Sequence, residues 1–427
     1  MSNELQRADQ GFSGFLKAML MTNTDRVNSI NRSIVEYKPC EVGAFFEPNN
    51  GVYNALISGG NSRIRTSAIV AQVFCAVRNG FPVIVLHEGN HLLEQQLHNH
   101  FFGMGRYVEI SSKNPCFEPL FGLSEIEISN QVIETAPKDY DIKYNIRYYI
   151  DGLSALLKAS GKNLSFKLFS TCPHPLIFDK VDDLENRGII NDRYAQEIKS
   201  KLMMGQSENF KLDTFFADLK MEIDPLLYKS KRGVRPVSII SSLKSNSILC
   251  FDLLSVTNKL LLNTVMYQLK LALTKGMHYQ IVIDSIPIDS NESYAAYIRS
   301  PSDKVCKTIS SDDFYSMVGG DDKVFSSVVG NAQILIIMNH PSGHSATKWS
   351  EIFGQYDKFE ESYSTSRGGS RKTPLSLMIS PNYNRTVSVS KNRDYIVKPE
   401  TISRLSNGEA YVLSAALGEL AHLFLTD

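Results

Sequence analysis

Short, wholly apolar runs separated by amphipathic stretches mark the first part of the chain. Residues 52–87 contain "VYNALIS", then "GGNSRIR", then "TSAIVAQVFCAVRNG" and finally "FPVIVLH". Runs such as "ALI" and "VIVL" are typical of strands buried on both faces of a parallel sheet, and the stretch between them has helical spacing. Gly80 and Pro82 mark the turn into the second strand. The pattern predicts a strand, a glycine-rich turn, a helix and a second strand, with residues 1–50 at the edge of the core.

The period of the apolar positions changes between about residues 114 and 230. The segments "SEIEISNQVIETA", "YNIRYYIDGLSALLKAS", "VDDLENRGIINDRYAQEIKSKLMM" and "NFKLDTFFADLKMEIDPLLY" all carry apolar residues at helical spacing. We interpret them as an all-helical insertion within the chain.

Strand-like runs return after this insertion. They are "VSIISSL" (237–243), "SILCFDLL" (247–254), "YQIVIDSI" (279–286) and "AQILIIMNH" (332–340), and the amphipathic helix "NKLLLNTVMYQLKLALTKG" lies between the second and the third. Residues 341–400 are polar and are predicted to be rich in loops. Buried strands that alternate with helices predict an α/β fold around a central, mostly parallel sheet.

The acidic and basic residues are equal in number, 45 of each, so the formal charge of the chain is zero. An overall basic excess for nucleic acid is absent, and any DNA contact has to come from a local patch. The cysteines, at positions 40, 75, 116, 172, 250 and 306, include no C-x-x-C pair. We therefore expect neither a zinc knuckle nor a disulfide framework, but reduced thiols as in a cytosolic protein.

The ends of the chain give no sign of a membrane. The N-terminus, "MSNELQRADQGFSGF", has no apolar signal-peptide core, and the longest apolar runs, such as "LSAALGELAHLFL" (413–425), are short and interrupted. We expect no transmembrane segment and a cytoplasmic location, with any attachment to a membrane complex made through a partner.

The segment "LISGGNSRIRTS" (56–67) raises the question of a nucleotide site, because phosphate-binding loops join a strand to a helix in this way. Counted from Gly59, it keeps the first Gly and the final Thr of G-x-x-x-x-G-K-[ST], but Ile64 replaces the second Gly and Arg65 replaces the Lys. A β-branched residue resists the positive φ that Gly accepts, and Arg is bulkier than Lys and planar. The segment is either a degenerate phosphate-binding loop or a chance glycine-rich turn. In the first case the nucleotide-binding residues are Gly59, Gly60, Asn61, Ser62, Arg63, Ile64, Arg65, Thr66 and Ser67, with Thr66 next to Mg²⁺.

A second ATP-site motif also keeps its scaffold residue and lacks its catalytic one. An ATP site has an apolar strand that ends in Asp-Glu, where the Asp holds Mg²⁺ and the Glu polarises the attacking water. The strand "HYQIVIDSIPI" (278–288) ends in Asp284, which is placed to lie near Mg²⁺, but Ser285 stands where the Glu belongs. A Ser cannot act as a carboxylate base.

Three further motifs have plain structural explanations. "HEGNH" (87–91) matches the zinc-protease pattern H-E-x-x-H, but it follows a strand, and Gly89 and Asn90 make a poor helix interior. We expect no metal there. The basic stretches "KSKRGVRP" (229–236) and "RGGSRK" (367–372) are interpreted as solvated loops, with phosphate contact as the alternative.

The order of these segments resembles the HerA–FtsK superfamily of hexameric P-loop ATPases, in particular the TraG/TraD-type coupling proteins of conjugation and type IV secretion. "NALISGGNSRIRTS" resembles the strand and loop of that family, and "IVIDSI" resembles its Walker B strand. "NPCFEPLFGLSEIEISNQVIE" (114–134) resembles the entry to its helical domain, and "ISRLSNGEAYVLS" (402–414) its closing strand. "ILIIMNHPSG" lies where the family has a strand ending in a sensor Gln, so that Asn339 is the counterpart.

The resemblance implies a RecA-like P-loop NTPase domain with a central, mostly parallel sheet and an inserted all-helical domain. The implied boundaries are 1–113 and 237–427 for the two parts of the RecA-like domain and 114–236 for the mainly helical insertion. A hexamer or hexamer-like assembly is implied, as are ATP and Mg²⁺ as ligands, with no other cofactor and no other metal. The candidates by position for an arginine that acts across subunits are Arg367, Arg371 and Arg393.

The chain departs from the family at positions that bind phosphate or activate water, namely Ile64, Arg65 and Ser285. The leading hypothesis is a degenerate, hydrolysis-deficient homologue that serves as a structural, docking or regulatory subunit of a DNA-transfer or type IV secretion-like machine. Its partners would be the proteins of that machine, and DNA. One alternative is an active hexameric DNA-translocating ATPase with an atypical site, in which Asp289 or Glu292 replaces the missing Glu. The other is a protein-interaction module with a non-functional pocket.

Overall fold

The computed structural model describes residues 53–136, 144–171, 176–229, 233–255, 257–288, 291–370, 380–414 and 419–425. The strands are β1 (Ala55–Ser58), β2 (Val83–His87), β3 (Tyr107–Ile110), β4 (Ile248–Asp252), β5 (Tyr279–Asp284), β6 (Val305–Ser311), β7 (Ile334–Ile337), β8 (Gln355–Ser370), β9 (Ser380–Tyr395), β10 (Glu409–Ser414) and β11 (Glu419–Phe424).

The helices begin with α1 (Ser62–Arg78) and α2 (His91–Phe101), which a 3-10 turn (Phe102–Met104) follows. Next come α3 (Glu125–Thr135), α4 (Ile146–Ala159), α5 (Phe166–Thr171), α6 (Ile177–Asn186), α7 (Asp192–Met204), the 3-10 turn Gln206–Glu208 and α8 (Asn209–Ile223). The last are α9 (Ile239–Lys244), α10 (Lys259–Thr274), α11 (Glu292–Arg299), α12 (Phe314–Met317), α13 (Asp322–Asn331), α14 (Gly343–Phe353) and α15 (Pro399–Ser403).

Nine strands form one sheet, in the order β11-β10-β7-β1-β6-β5-β2-β4-β3. The seven strands from β7 to β3 are parallel, and β10 is antiparallel to both β7 and β11. The predicted α/β class with a central, mostly parallel sheet is therefore confirmed. The carboxyl ends of the parallel strands lie along one edge, where such sheets hold their ligands.

The two faces of this sheet have different covers. Alternate strand residues point to opposite faces, so Ile57 packs with α1 and α2 in one apolar cluster. Its neighbour Leu56 faces a larger cluster that contains the helices from α3 onward. Because both faces are covered, strands such as β2 are buried along their whole length, and the sequence shows them as continuous apolar runs.

The helices α3 to α8 occupy the region with helical spacing, and α10 joins them to the sheet. The Gln268 side chain on α10 donates to the Pro119 carbonyl oxygen at 2.7 Å and accepts from the Ile239 backbone N–H at 3.1 Å. Asn263 donates to the Thr135 carbonyl oxygen at 2.8 Å. The apolar cluster on this face continues from the helices into the sheet. The boundaries 114–236 of a separate helical domain remain a prediction.

One predicted strand is wrong. Residues 237–243 contain the helix α9, which begins after Ser238. The Ser238 hydroxyl oxygen accepts from the Ser241 backbone N–H at 3.0 Å, and this N-cap starts a helical turn. A short apolar run such as "VSII" does not by its own period distinguish a strand from a buried helix.

The prediction of a loop-rich segment at 341–400 is also wrong. This segment holds α14 and two 16-residue strands, β8 and β9, which pair with each other as an antiparallel hairpin outside the main sheet. Its sequence is dominated by polar residues, and pairs such as Ser362 with Ser388 (Oγ to Oγ 2.6 Å) and Lys391 with Asp357 (2.6 Å) connect the strands. Polar strands of this kind lack the apolar alternation that identifies a half-buried strand.

The prediction for residues 1–50 lies outside the described residues. Among the helices that the structure does describe, none has both the length and the apolar character that a bilayer crossing requires.

Candidate functional site at the carboxyl ends of the strands

The turn after β1 is built from two glycines with positive φ. Gly59 has φ +89° and Gly60 has φ +66°. A Cβ on Gly59 would lie 2.6 Å from the Asn339 carbonyl oxygen and 2.6 Å from the His340 ring, so a side chain cannot be accommodated. On Gly60 a Cβ would meet the Met338 sulfur at 2.8 Å. The turn is packed closely against the end of β7.

The helix α1 begins four residues earlier than predicted. The Asn61 side chain caps it by accepting from the Ile64 backbone N–H at 3.0 Å, and the first helical residue is Ser62. Ile64, Arg65 and Thr66 therefore lie within the first turns of a helix, where φ is negative. This explains how a β-branched residue is accommodated at position 64.

Two backbone donors of the turn, those of the glycines, are already used. The Gly59 N–H donates to the Ser311 carbonyl oxygen at 3.0 Å, and the Gly60 N–H donates to the Asn339 carbonyl oxygen at 2.9 Å. The buried guanidinium of Arg65 folds back on the same turn, where Nη1 donates to the carbonyl oxygens of Gly60 (2.9 Å) and Gly59 (3.3 Å). A phosphate-binding loop needs free amides that converge on one point, together with a cation that reaches it. The two glycine amides and Arg65 Nη1 therefore do not fit a bound phosphate.

The residues predicted to lie near Mg²⁺ are Thr66 and Asp284. Thr66 is buried, and its Oγ1 has no hydrogen-bond partner among the described residues. The register of β5, β6 and β1 aligns Asp284 with Ser310 and Ser310 with Ile57. Two strand spacings put Asp284 about 10 Å from Ile57 along the sheet. In the part of the chain that is described, no group of three or more His, Cys, Asp or Glu is arranged to hold a metal.

Asp284 ends its strand in a set of hydrogen bonds. The Asn90 side chain donates to Asp284 Oδ2 at 2.6 Å, and the Ser285 hydroxyl donates to Oδ1 at 3.4 Å. Ser285 has φ +58°, and its N–H donates to the Ser310 carbonyl oxygen at 2.8 Å. The sequence therefore placed Asp284 correctly at the end of a buried strand. The carboxylate interacts with groups of the protein itself.

The strand β6 was missed in the sequence. It lies between β1 and β5 and contributes Ser310 and Ser311 to the carboxyl edge. Its segment, "VCKTISS", is buried although most of its residues are polar. Thr308, for example, accepts from the Gln280 side chain at 2.7 Å. The usable signals were its length of seven residues and its position between the segments that form α11 and α12.

Asn339, predicted as the sensor, lies at the end of β7 on the other side of β1. Its carbonyl oxygen accepts from Gly60, so it does touch the turn. Its side-chain Nδ2 donates to the carbonyl oxygen of Ser403 (3.0 Å), the last residue of α15, and to that of Leu405 (2.9 Å). Its role as a sensor remains a prediction.

A buried polar network behind the turn was also missed. His340 Nε2 lies 2.8 Å from the Ser58 hydroxyl and accepts from Trp349 Nε1–H at 3.1 Å, while Nδ1 lies 2.8 Å from the Met338 carbonyl oxygen. Because a carbonyl can only accept, Nδ1 carries the proton. Burial lowers the pKa of His340, which keeps the ring neutral. The network fixes the turn to β7 and α14.

The zinc-protease match does not form a metal site. His87 is buried at the end of β2, and its Nδ1 accepts from the Asn90 backbone N–H at 3.2 Å. Its Nε2 lies 3.4 Å from Cys250 Sγ, and burial lowers its pKa. His91 is exposed at the start of α2 and faces Glu94, with 2.9 Å between Nδ1 and Oε2. A strand end and a helix start thus separate the two histidines.

The structure describes three of the five remaining candidate arginines and carboxylates. Arg393 is opposite Asp357 in the hairpin register, and Arg367 is opposite Tyr383. Glu292 is the first residue of α11. Arg371 and Asp289 lie outside the described residues.

Three solved structures have a similar arrangement of the chain. The bacterial conjugative coupling protein TrwBdeltaN70 shares 13% identity over 90% of this chain and 86% of its own, with a TM-score of 0.48. The plasmid coupling protein TrwB in complex with ADP and Mg²⁺ shares 12%, over 92% and 91%, with a TM-score of 0.47. VirB4 of Thermoanaerobacter pseudethanolicus shares 10%, over 88% and 89%, with a TM-score of 0.41. No protein-family profile and no curated protein matches the sequence.

Proposed function

We propose that this chain is a hydrolysis-deficient protein with an ATPase-type fold, acting as a structural or docking subunit of a DNA-transfer or type IV secretion-like machine. The observation that carries the first part is the turn after β1. The N–H groups of Gly59 and Gly60 donate to carbonyl oxygens of the protein, and Arg65 Nη1 donates to the carbonyl oxygens of the same turn. The order of segments along the sequence motivates the second part.

The catalytic half supports the same proposal. Ser285 replaces the carboxylate that would polarise water, and its backbone turns away from the strand at φ +58°. Asp284 interacts with Asn90. Residues 59–67 would then be a structural turn that preserves the shape of a nucleotide site, and the protein would contribute surfaces rather than turnover. We propose several copies or related subunits in one assembly, on the cytoplasmic side of its machine.

The direct test measures ATP binding and turnover by the full chain. We expect phosphate release with ATP and Mg²⁺ to stay at the level of a heat-inactivated sample, with and without single-stranded or duplex DNA, and calorimetry to detect no binding at millimolar ATP. Robust hydrolysis would rule the proposal out in favour of an active ATPase with an atypical site. ATP binding without turnover would be compatible with the structural role and would make the nucleotide a bound ligand of the assembly.

The role given to Arg65 is tested by stability rather than activity. Arg65→Ala should lower the free energy of unfolding by about 1–3 kcal/mol, because two loop carbonyls lose a charged donor in a buried place. The measurement is urea unfolding, with the exposed Arg63→Ala on the same helix as the matched control. Residues that bind a ligand often make the free protein less stable. An Arg65→Ala protein that is as stable as the wild type, or more stable, would therefore indicate that Arg65 belongs to a ligand site.

A further inference from the structure

One edge of the nine-stranded sheet is formed by β3, and its ladder shows which backbone groups face outward. The Ile248 N–H donates to the Arg106 carbonyl oxygen at 2.9 Å, and Tyr107 is in register with Ile248. In a parallel pair this turns the backbone groups of residues 106, 108 and 110 towards β4 and those of Tyr107 and Glu109 away from it. The Glu109 carbonyl oxygen does face away, since it accepts from Asn114 Nδ2 at 2.7 Å.

Three outward groups remain on this edge. They are the N–H and C=O of Tyr107 and the N–H of Glu109, which have no hydrogen-bond partner within the described part of the chain. They lie two residues apart, which is the spacing at which another extended strand pairs. An open edge is a template for pairing, and proteins commonly cover it or interrupt it.

A groove of about 510 Å³ runs along this edge. One wall comes from the end of α2, where the Phe102 ring stacks on His98 at 4.5 Å and Phe102 is 64% exposed. The other wall comes from the segment before α9, with Val234 and Arg235. The first wall belongs to the sheet face covered by α1 and α2, and Val234 packs against the cluster on the opposite face.

The charges of the groove are unequal. Glu109 Oε1 accepts from the Ser111 hydroxyl at 2.6 Å, and Glu109 Oε2 lies 4.0 Å from His98 Nδ1. The exposed Arg235 has no hydrogen bond or ion pair with any residue that the structure describes. Among the described lining residues, the Glu109 carboxylate already has contacts within the chain, whereas the Arg235 guanidinium pairs with none of them and complements a carboxylate of a partner.

We propose that β3 binds an extended peptide as an additional strand, with an apolar side chain against Phe102 and a carboxylate against Arg235. Successive side chains of a strand point to opposite faces, and the two walls lie on opposite faces. The apolar and the acidic residue of the partner are therefore separated by an odd number of positions. Backbone hydrogen bonds give such a complex its affinity, and the two walls give it sequence preference.

The partner is sought in a display library of random eight-residue linear peptides, selected on the full chain and counter-selected on Glu109→Pro. The Glu109 N–H faces outward, so proline removes this donor without touching the β3–β4 ladder. We expect enriched peptides that carry an apolar and an acidic residue at odd spacing. The best one, measured by fluorescence anisotropy, should bind Glu109→Pro at least about tenfold more weakly.

Two further measurements keep the result independent of the proline variant. N-methylation of alternate peptide amides, which leaves the side chains unchanged, should weaken binding at least about tenfold. Arg235→Glu should weaken it about five- to tenfold, whereas Lys323→Glu, an exposed charge on α13, should leave it unchanged. The proposal fails if the library shows no enrichment over the Glu109→Pro protein, or if N-methylated and plain peptides bind equally. Should Glu109→Pro not fold, judged by far-UV circular dichroism, the N-methylated peptide and Arg235→Glu decide.

Discussion

Glu118 shows how a single buried residue connects the segment after β3 to the helix α5. It is 3% exposed, and its Oε1 accepts from the backbone N–H of Phe166 on α5 (2.7 Å) and of Leu120 (3.3 Å). Burial raises the pKa of Glu118 to about 7 from an ordinary 4.5, although these two donors oppose the rise. The folded protein therefore holds a proton here that the unfolded chain releases at a lower pH.

Glu118→Gln should become more stable than the wild type as the pH rises. Between the two pKa values the folded wild-type chain binds more protons than the unfolded chain, so its stability falls as the pH goes from about 4.5 through 7. Glutamine mimics the protonated carboxyl and carries no such loss. The stability difference should be near zero at pH 4.5 and approach about 3 kcal/mol at pH 8. Urea unfolding at both pH values measures it.

The exposed Glu134→Gln on α3 controls for the removal of one negative charge. His87 and His340 change the stability of the protein with pH in the opposite direction to Glu118. Burial lowers their pKa values, so the folded protein loses stability as the pH falls below about 6.5. For this reason the difference between variants, and not the wild-type curve alone, tests the role of Glu118. A constant difference at all pH values would contradict it.

Individual site residues differ in how far the sequence reveals them. Asp284 was placed correctly because it ends an apolar run, which is a local signal. The neighbouring Ser58–His340 pair was not, because the two residues are 282 positions apart and only the pairing of β1 with β7 brings them together. The early start of α1 depends on Asn61 as its N-cap. Asn is also common in glycine-rich turns, so its presence did not show where the helix begins.

At the scale of secondary-structure elements, the β8–β9 hairpin stands apart from the rest of the fold. Within the described part of the chain its strands pair with no strand but each other, and isolated two-stranded hairpins are marginally stable in water. Its base is held next to α14, where the Ile396 N–H donates to the Gly354 carbonyl oxygen at 3.0 Å. Farther out, Tyr363 and Val389 are 48% and 52% exposed.

Shortening this hairpin should leave the remainder of the fold intact. Glu360 is opposite Ser390, so residues 361–389 can be replaced by Asn-Gly, which favours a two-residue hairpin turn. Since the removed residues add no strand to the main sheet, the melting temperature should change by no more than about 3 °C. Differential scanning calorimetry measures this, and the emission of Trp349 reports the packing nearby. A fall of about 10 °C or more would mean that the hairpin supports the core.

Three of the strands that the sequence did not reveal, β6, β8 and β9, were missed for one reason. The strand β6 and the hairpin strands are rich in Ser, Thr, Lys and Asn, and some of their polar groups pair across strands, as Thr308 does with Gln280 and Ser362 with Ser388. Apolar periodicity reports burial against a core, so it finds β1, β2, β4, β5 and β7 and misses strands whose side chains pair with polar neighbours. The edge strand β3, with the sequence YVEI, is not a continuous apolar run, and three of its four residues are only half-buried.

At the scale of the whole molecule, one apolar cluster extends from the helices α3 to α8 through α10 into the sheet. Gln268 bridges these parts, with bonds to Pro119 and to Ile239. Removing residues 124–227 would expose this surface, so a partner-binding test based on that deletion would report misfolding. Sequence periodicity gave the helical character of the segment, but the shared core depends on contacts across more than a hundred residues.

We therefore expect the helices and the sheet to unfold together. The single tryptophan, Trp349, is fully buried on α14 and reports the sheet side, whereas far-UV circular dichroism reports mainly the helices. In urea the two transitions should coincide, as for one cooperative unit. Gln268→Ala should move both transitions to lower urea concentration. The free energy of unfolding from both probes should fall by the same amount, about 1–3 kcal/mol, because the substitution leaves buried hydrogen-bonding partners unsatisfied. Gln196→Ala, an exposed glutamine on α7, serves as the control. Two transitions with separate midpoints, or a Gln268→Ala effect on only one probe, would mean that residues 114–236 fold as a domain of their own.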